Sequence, residues 1–325
     1  MKNEYDFLKI LAILLVVLGH ITILYVRGSF EYLLSNEWLE VLTSGVYIFH
    51  MPLFIAISGA IYQYGKNNGK YESFLPFLKN KILRLILPFL FVSALFLAPS
   101  LIALELVHES YLKCVSKIWI GDDYIKHLWY LPALFWIFGI VWLFNYFKVH
   151  LLCSFIGSVC LIILCSILHI DFHYLCFSNS LQYLPYFILG MWLFNIRKKI
   201  NFIFLLLSFF CLCIFVIGQK LTHILIFDNL FRILLPCSIV SILFGGAHLI
   251  MPKLQQYSVL SFILQNSFAI YLFHVMVIYA MYVFVGPNLA TAIMIPLTFV
   301  VAILVSIFIA YLLRFFHLSI IIGEK

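Results

Sequence analysis

Apolar runs of about 20 residues, separated by short polar stretches, recur from one end of the chain to the other. A run of that length crosses the hydrocarbon of a bilayer as a helix. They place spans near residues 7–26, 41–63, 84–107, 128–147, 151–168, 183–196, 201–219, 229–250, 262–285 and 291–315. The alternation that marks an outer-membrane barrel is missing from them. The pattern predicts an all-α polytopic membrane protein of about ten transmembrane helices. Neither a repeat period nor a Pro-, Gly- or Ser-rich linker divides the sequence, so 1–325 reads as a single membrane-embedded domain with no separate soluble domain. The first run is preceded by a positive residue and followed by no small-x-small cleavage site, which makes it an uncleaved first span.

Composition sharpens this reading. Hydrophobic residues make up 65% of the 325 positions and charged residues 10%, with a mean hydropathy of +1.12. A soluble domain carries about 25% charged residues, which excludes a water-soluble enzyme of ordinary type. The net charge of +7 could suggest nucleic acid in another context. Here the basic residues sit in short loops between apolar runs and act as topology signals, so no nucleic-acid partner is expected. With the N-terminus inside, 14 of the 20 Lys and Arg residues fall on the cytoplasmic side and 6 on the outer side. The asymmetry predicts that both termini are cytoplasmic.

Eight cysteines show no CxxC pair and no metal-ligand rhythm, and no metal is expected. Six lie inside apolar runs and read as small hydrophobes; Cys114 and Cys176 fall in predicted loops, the one pairing left open for a disulfide. The predicted outer loops 27–40, 108–127 and 169–182 mix carboxylates with Tyr, Trp and Phe. Such loops suit either recognition of a hydroxylated ligand such as a sugar or an interfacial aromatic belt.

Certain polar residues are out of place in a membrane. Lys9 opens the first span and His20 follows eleven residues later. At about 100° and 1.5 Å per residue the two share one helix face, about 16 Å apart. Asp6, three residues before Lys9, is placed to pair with it. His50, in the run Phe49-His50-Met51-Pro52, reaches a depth similar to that of His20 on the antiparallel second span. Intramembrane ionisable groups are functional candidates because burial costs them free energy, although each imidazole could also serve as a hydrogen-bonded packing residue. Lys81 and Arg84 share a face at the inner mouth of the third span, either as a topology anchor or as a clamp for the phosphates of a cytosolic cofactor. Ser58, His127, Trp129, Tyr130 and His274 complete the set of polar or aromatic lining candidates.

In order along the chain, YDFLKILAILLVVLGH, FHMPLFIAISG, KNKILRLILPF, HLWYLPALF and SFAIYLFH resemble the acyltransferase family 3 membrane proteins. The resemblance runs from the start of the chain to His274 and is nearest to the branch that looks like fucose 4-O-acetylases. In the third piece, where many members carry two arginines, this chain has Lys81 and Arg84. The resemblance implies an O-acyltransferase, most simply an O-acetyltransferase, in a bacterial inner membrane. It would take acetyl from acetyl-CoA, or acyl from another acyl-CoA, as a donor substrate rather than a permanently bound cofactor. The acceptor would be a sugar hydroxyl of a surface polysaccharide or a lipid-linked oligosaccharide precursor. On that reading Lys9, Lys81 and Arg84 hold the donor, and His20 acts as general base or transient acyl carrier. His50 assists it, and Ser58, His127, Trp129, Tyr130 and His274 line the substrate path. The rival expectation is a transporter or flippase of a lipid-linked glycan, against which the absence of two related halves speaks.

Overall fold

The computed structural model describes residues 2–170, 174–221, 225–250 and 258–324. Among them there is no strand; they form helices joined by turns and loops. The helices are α1 (Lys2–Val26), α2 (Glu37–Asn67), α3 (Phe74–Ala103), α4 (Tyr111–Ile120), α5 (Tyr130–Tyr146), α6 (Leu151–Ile167), α7 (Phe177–Ile196), α8 (Phe202–Leu221), α9 (Leu225–Ile250), α10 (Ser258–Phe284) and α11 (Thr291–Phe315). Seven described helices are long and apolar enough to cross a membrane, namely α1, α2, α3, α5 with the turn before it, α9, α10 and α11. The windows at 151–168 and 201–219 are helical but shorter, and α7, over the window at 183–196, begins with the polar Ser178, Asn179, Ser180 and Gln182. The helices make this a multi-pass membrane protein.

The bundle is built around α1. Its Ala12, Ile13, Val17 and Ile21 are fully buried, and α2, α9, α10 and α11 all pack against it. A helix apolar on all faces belongs at the centre of such a bundle. In contrast, α8 and α11 turn Leu206, Phe209, Phe210, Leu304 and Phe308 outward, as lipid-facing helices do.

Helix α2 crosses α7 at close range. A Cβ on Gly59 would collide with the Phe187 carbonyl, and one on Gly190 with the Ala56 carbonyl. Small residues at such a crossing let two backbones touch, which supplies the packing that lipid-solvated helices cannot obtain from a hydrophobic effect. The contact fixes α2, and with it Ser58 and His50.

The third helix begins at Phe74, ten residues before the predicted window at 84, so Lys81 and Arg84 lie within it rather than at its mouth. Its first turns carry Lys79, Lys81 and Arg84 between apolar residues, a mixture that a hydropathy window reads as loop. Two π turns interrupt α3, Ile82–Ile86 and Ser93–Leu97, each followed two residues later by a proline, Pro88 and Pro99. Proline has no N–H to return to the carbonyl four residues back, and the widened turns accommodate the loss.

The predicted loop at 108–127 is partly ordered into α4, which carries Cys114 on its buried face. Cys114 and Cys176 are both free thiols, so the pairing left open between them is not made. Beyond α11, the turn Ser319–Ile322 folds back against α3 and α10 with Ile321 and Ile322 buried. Arg314 secures it: Nε and Nη2 donate to the two carboxylate oxygens of Glu324 at 2.9 and 2.6 Å, and Nη1 donates to Asn266 Oδ1 at 2.8 Å.

Candidate functional site

Of the cavities formed by the described residues, the two that hold residues singled out in the sequence open at opposite ends of the bundle. The one at the basic end, of about 510 Å3, is lined by Lys9 of α1, Ser58 of α2, Lys81 and Arg84 of α3, Tyr130 and Phe138 of α5, Tyr271 of α10 and Glu324. The three basic residues singled out in the sequence therefore share one cavity, although they come from two helices. Their settings differ. The Lys81 ammonium sits over the Phe138 ring at 3.3 Å from its centroid, with the rings of Tyr71 and Phe77 at 5.6 and 5.5 Å. Arg84 is exposed. An ammonium held on an aromatic face is partly satisfied there, which leaves Arg84 the freer cation for an incoming anion.

Deeper in this cavity, Ser58 Oγ donates to the Phe54 carbonyl at 3.1 Å, so at its 3.1 Å contact with Tyr130 Oη the tyrosine is the donor. Tyr130 is buried, not a belt residue at an interface. Trp129, half-buried, packs tilted against Tyr183 with ring centroids 5.0 Å apart and lines the other cavity.

The cavity at the opposite end measures about 660 Å3 and is lined by His20, Arg27, Tyr47, Asp122, Lys126, His127, Trp129 and Asn179, among others. Cys176 also faces it, but burial pushes its thiol up to about 12, which keeps the thiolate nucleophile away at neutral pH.

His20 does not pair with His50. Each packs against the ring of Tyr47, at 6.4 and 4.8 Å, and His50 is tied by Nδ1 to the Val46 carbonyl at 2.8 Å on its own helix. The sequence placed the two at one depth, but an intervening tyrosine separates them. The partners of His20 are instead His274 and His127, with ring centroids 5.2 and 6.2 Å away, and those two rings lie 5.0 Å from each other. Three helical segments thus contribute one imidazole each to a cluster. His127 is 2% exposed and His274 0% exposed, and His274 lines neither cavity.

Local structure explains the placement. Before His127 the backbone at Lys126 takes φ 50° and ψ −124°, outside the helical region, and the chain turns there into α5. A lysine held at positive φ is strained, and the surroundings must hold it. They do so through α10: Tyr271 Oη donates to the His127 carbonyl at 2.6 Å, and His127 Nε2 donates to the Leu272 carbonyl at 3.0 Å. His274 Nδ1 lies 2.8 and 2.9 Å from the carbonyls of Ile270 and Tyr271. Tyr271 lines the basic cavity and His127 the opposite one, so their hydrogen bond lies in the partition between the two. The sequence named Tyr271 only as part of a motif; its role as a partition residue had no signal in the local pattern.

A family model described as "Acyltransferase domain" matches residues 2–315. A segment of 91 residues is 36% identical to the nodulation protein NolL of Sinorhizobium fredii (strain NBRC 101917 / NGR234), covering 28% of this chain and 23% of that protein. The match thus spans about a quarter of the length of that relative. No solved structure matches the chain.

Proposed function

The chain belongs to the acyltransferase family 3, and from that premise we propose that it moves an acyl group, most simply acetyl, from cytosolic acyl-CoA to a sugar hydroxyl presented on the other side of a bacterial inner membrane. The acceptor is a surface polysaccharide or its lipid-linked precursor, as in the fucose 4-O-acetylase-like branch. The whole chain acts as one membrane domain of about ten spans, seven of them the long apolar helices described above, with both termini in the cytoplasm, a topology that the 14 to 6 distribution of basic residues supports.

The observation that carries the reading is the pair of cavities set back to back along α1. Lys9 lines one and His20 the other. The basic cavity gathers the cations suited to the phosphates of coenzyme A, with Arg84 the exposed one and Lys9 and Lys81 beside it. Ser58 and Tyr130 offer hydroxyls along the path that the pantetheine arm would follow. In the opposite cavity Trp129 supplies a face for a sugar ring, and Arg27, Asp122 and Asn179 supply polar edges.

The chemistry asked of the protein is modest. The acceptor oxygen bonds to the thioester carbonyl carbon as its hydroxyl proton passes to a ring nitrogen of His20; the C–S bond then breaks and the coenzyme A thiolate takes the proton. His20 is the only one of the three clustered imidazoles that is not fully packed away and also lines a cavity from α1. His50 supports it from behind Tyr47.

The test is incubation of sealed, oriented membrane vesicles with labelled acetyl-CoA and a glycan acceptor on opposite faces. Label in the acceptor, dependent on the protein and lost in His20→Gln, supports the reading. Movement of the glycan without label would replace it with a transporter.

A further inference from the structure

Two ring nitrogens in the imidazole cluster are left over. His127 Nδ1 and His274 Nε2 are buried and have no hydrogen-bond partner among the described residues. Their protonation follows from what the other nitrogens touch. A main-chain carbonyl only accepts, so His127 Nε2, facing the Leu272 carbonyl, and His274 Nδ1, facing those of Ile270 and Tyr271, must carry the hydrogens. The leftover nitrogens therefore hold bare lone pairs. Two unpaired acceptors in a protein interior cost free energy, and a fold that retains them needs a donor for them at some stage.

Metal ligation is one way to use such lone pairs. Among the described residues, however, no group of three or more His, Cys, Asp or Glu converges as a metal site. The two rings lie 5.0 Å apart, but two bare acceptors cannot serve each other; the third imidazole of the cluster, His20, lies 5.2 Å from His274 and 6.2 Å from His127. Neutral imidazole has a single N–H, whereas imidazolium has two. Only when His20 has taken up a proton does it carry enough donors to serve a neighbour and the reacting group together.

We infer that His127 and His274 are positioning residues for His20: they set bare ring nitrogens beside its imidazole, and one of the two receives the N–H that does not face the reacting group in the imidazolium that forms when the acceptor hydroxyl loses its proton. This rests on the assignment of His20 as the base. The role resembles that of the third member of a hydrolytic triad, which holds the base imidazole and stabilises its protonated form. Here two neutral rings do it in place of a carboxylate. A buried carboxylate would have had to be desolvated in the membrane, which two imidazoles avoid.

The inference makes stability and activity move apart. His274→Phe and His127→Phe keep a ring of similar volume and remove the lone pair. The carbonyls released belong to α10, whose own helical ladder pairs them. The purified variants should melt at or above the wild-type temperature and bind acyl-CoA with unchanged KM, while kcat for transfer drops by about 100-fold or more. His274→Gln, which keeps an acceptor at similar reach, should recover part of that loss. Should the larger ring prevent insertion, His274→Leu replaces the Phe variant in the same comparison. Phe or Leu variants with kcat within twofold of wild type would overturn the inference, as would a fall in melting temperature that accounts for the lost rate and is not relieved by Gln. His20→Gln is run beside them. Near-normal turnover in that variant would remove the base assignment itself, whereas an inactive His20→Gln beside active His127 and His274 variants would remove only the inference drawn here.

Discussion

Tyr271 donates its hydroxyl hydrogen to the main-chain carbonyl of His127 at 2.6 Å, joining α10 to the strained turn ahead of α5 at the partition between the two cavities. The ring of Tyr271 also packs at 5.6 Å against that of His127 and at 5.4 Å against that of Tyr130. One side chain therefore touches both the Tyr130 ring of the basic cavity and the imidazole cluster.

Tyr271→Phe keeps the packing and deletes the bond. Leaving the buried His127 carbonyl without its partner should cost about 1–3 kcal/mol. The strained turn at Lys126 then loses one of its restraints, so kcat should fall while KM for acyl-CoA stays near wild type. Calorimetric melting together with steady-state kinetics checks both parts. A Phe variant equal to wild type in both would show that the turn holds itself.

The crossing of α2 and α7 leaves no room for a side chain. Gly59→Ala or Gly190→Ala places a methyl onto main-chain atoms of the facing helix. The helices must separate, at a cost of about 1–3 kcal/mol or more. Gly139→Ala and Gly157→Ala, where a Cβ meets nothing within 4 Å, are the controls and should melt with wild type or slightly above it. Thermal unfolding in detergent separates the two pairs.

Arg84 and Lys81 should not be equivalent. Arg84→Ala removes the exposed guanidinium and should weaken acyl-CoA binding by about 1.5–3 kcal/mol. Lys81→Met keeps the aliphatic stem against Phe138 and loses an ammonium that an aromatic face already holds, so the loss of affinity should be smaller. Titration calorimetry with acyl-CoA measures both. Equal losses would place the two cations in the same contact.

The turn at Ser319–Ile322 forms part of the basic cavity wall because Arg314 holds Glu324. Gly323, at φ 68°, lets the backbone pass close to the Arg84 carbonyl; a Cβ there would lie 3.2 Å from it. Arg314→Ala should loosen this wall and raise KM for acyl-CoA several-fold with a smaller change in kcat. The exchange Arg314→Glu with Glu324→Arg should restore part of the affinity. Failure of Arg314→Ala to change KM would detach the turn from donor binding.

Local pattern alone placed most of the helices, though not α4, because apolar runs must satisfy their backbone hydrogen bonds within themselves in a bilayer. The rigid rise of α1 likewise set the relation of Lys9 to His20, which the two cavities then separate. The start of α3 was hidden because Lys79, Lys81 and Arg84 lower the hydropathy of turns that are nonetheless helical. What a helix of this kind does not announce is which face looks inward, since lipid tails are as apolar as leucine. Backbone contacts such as Gly59 on Phe187 decide that, and they decide it between segments far apart in the chain. For that reason His50 could be matched to His20 by depth while Tyr47 keeps them apart. His127 and His274 meet His20 only because α10 packs on α1 and holds the turn before α5 through Tyr271 and Leu272.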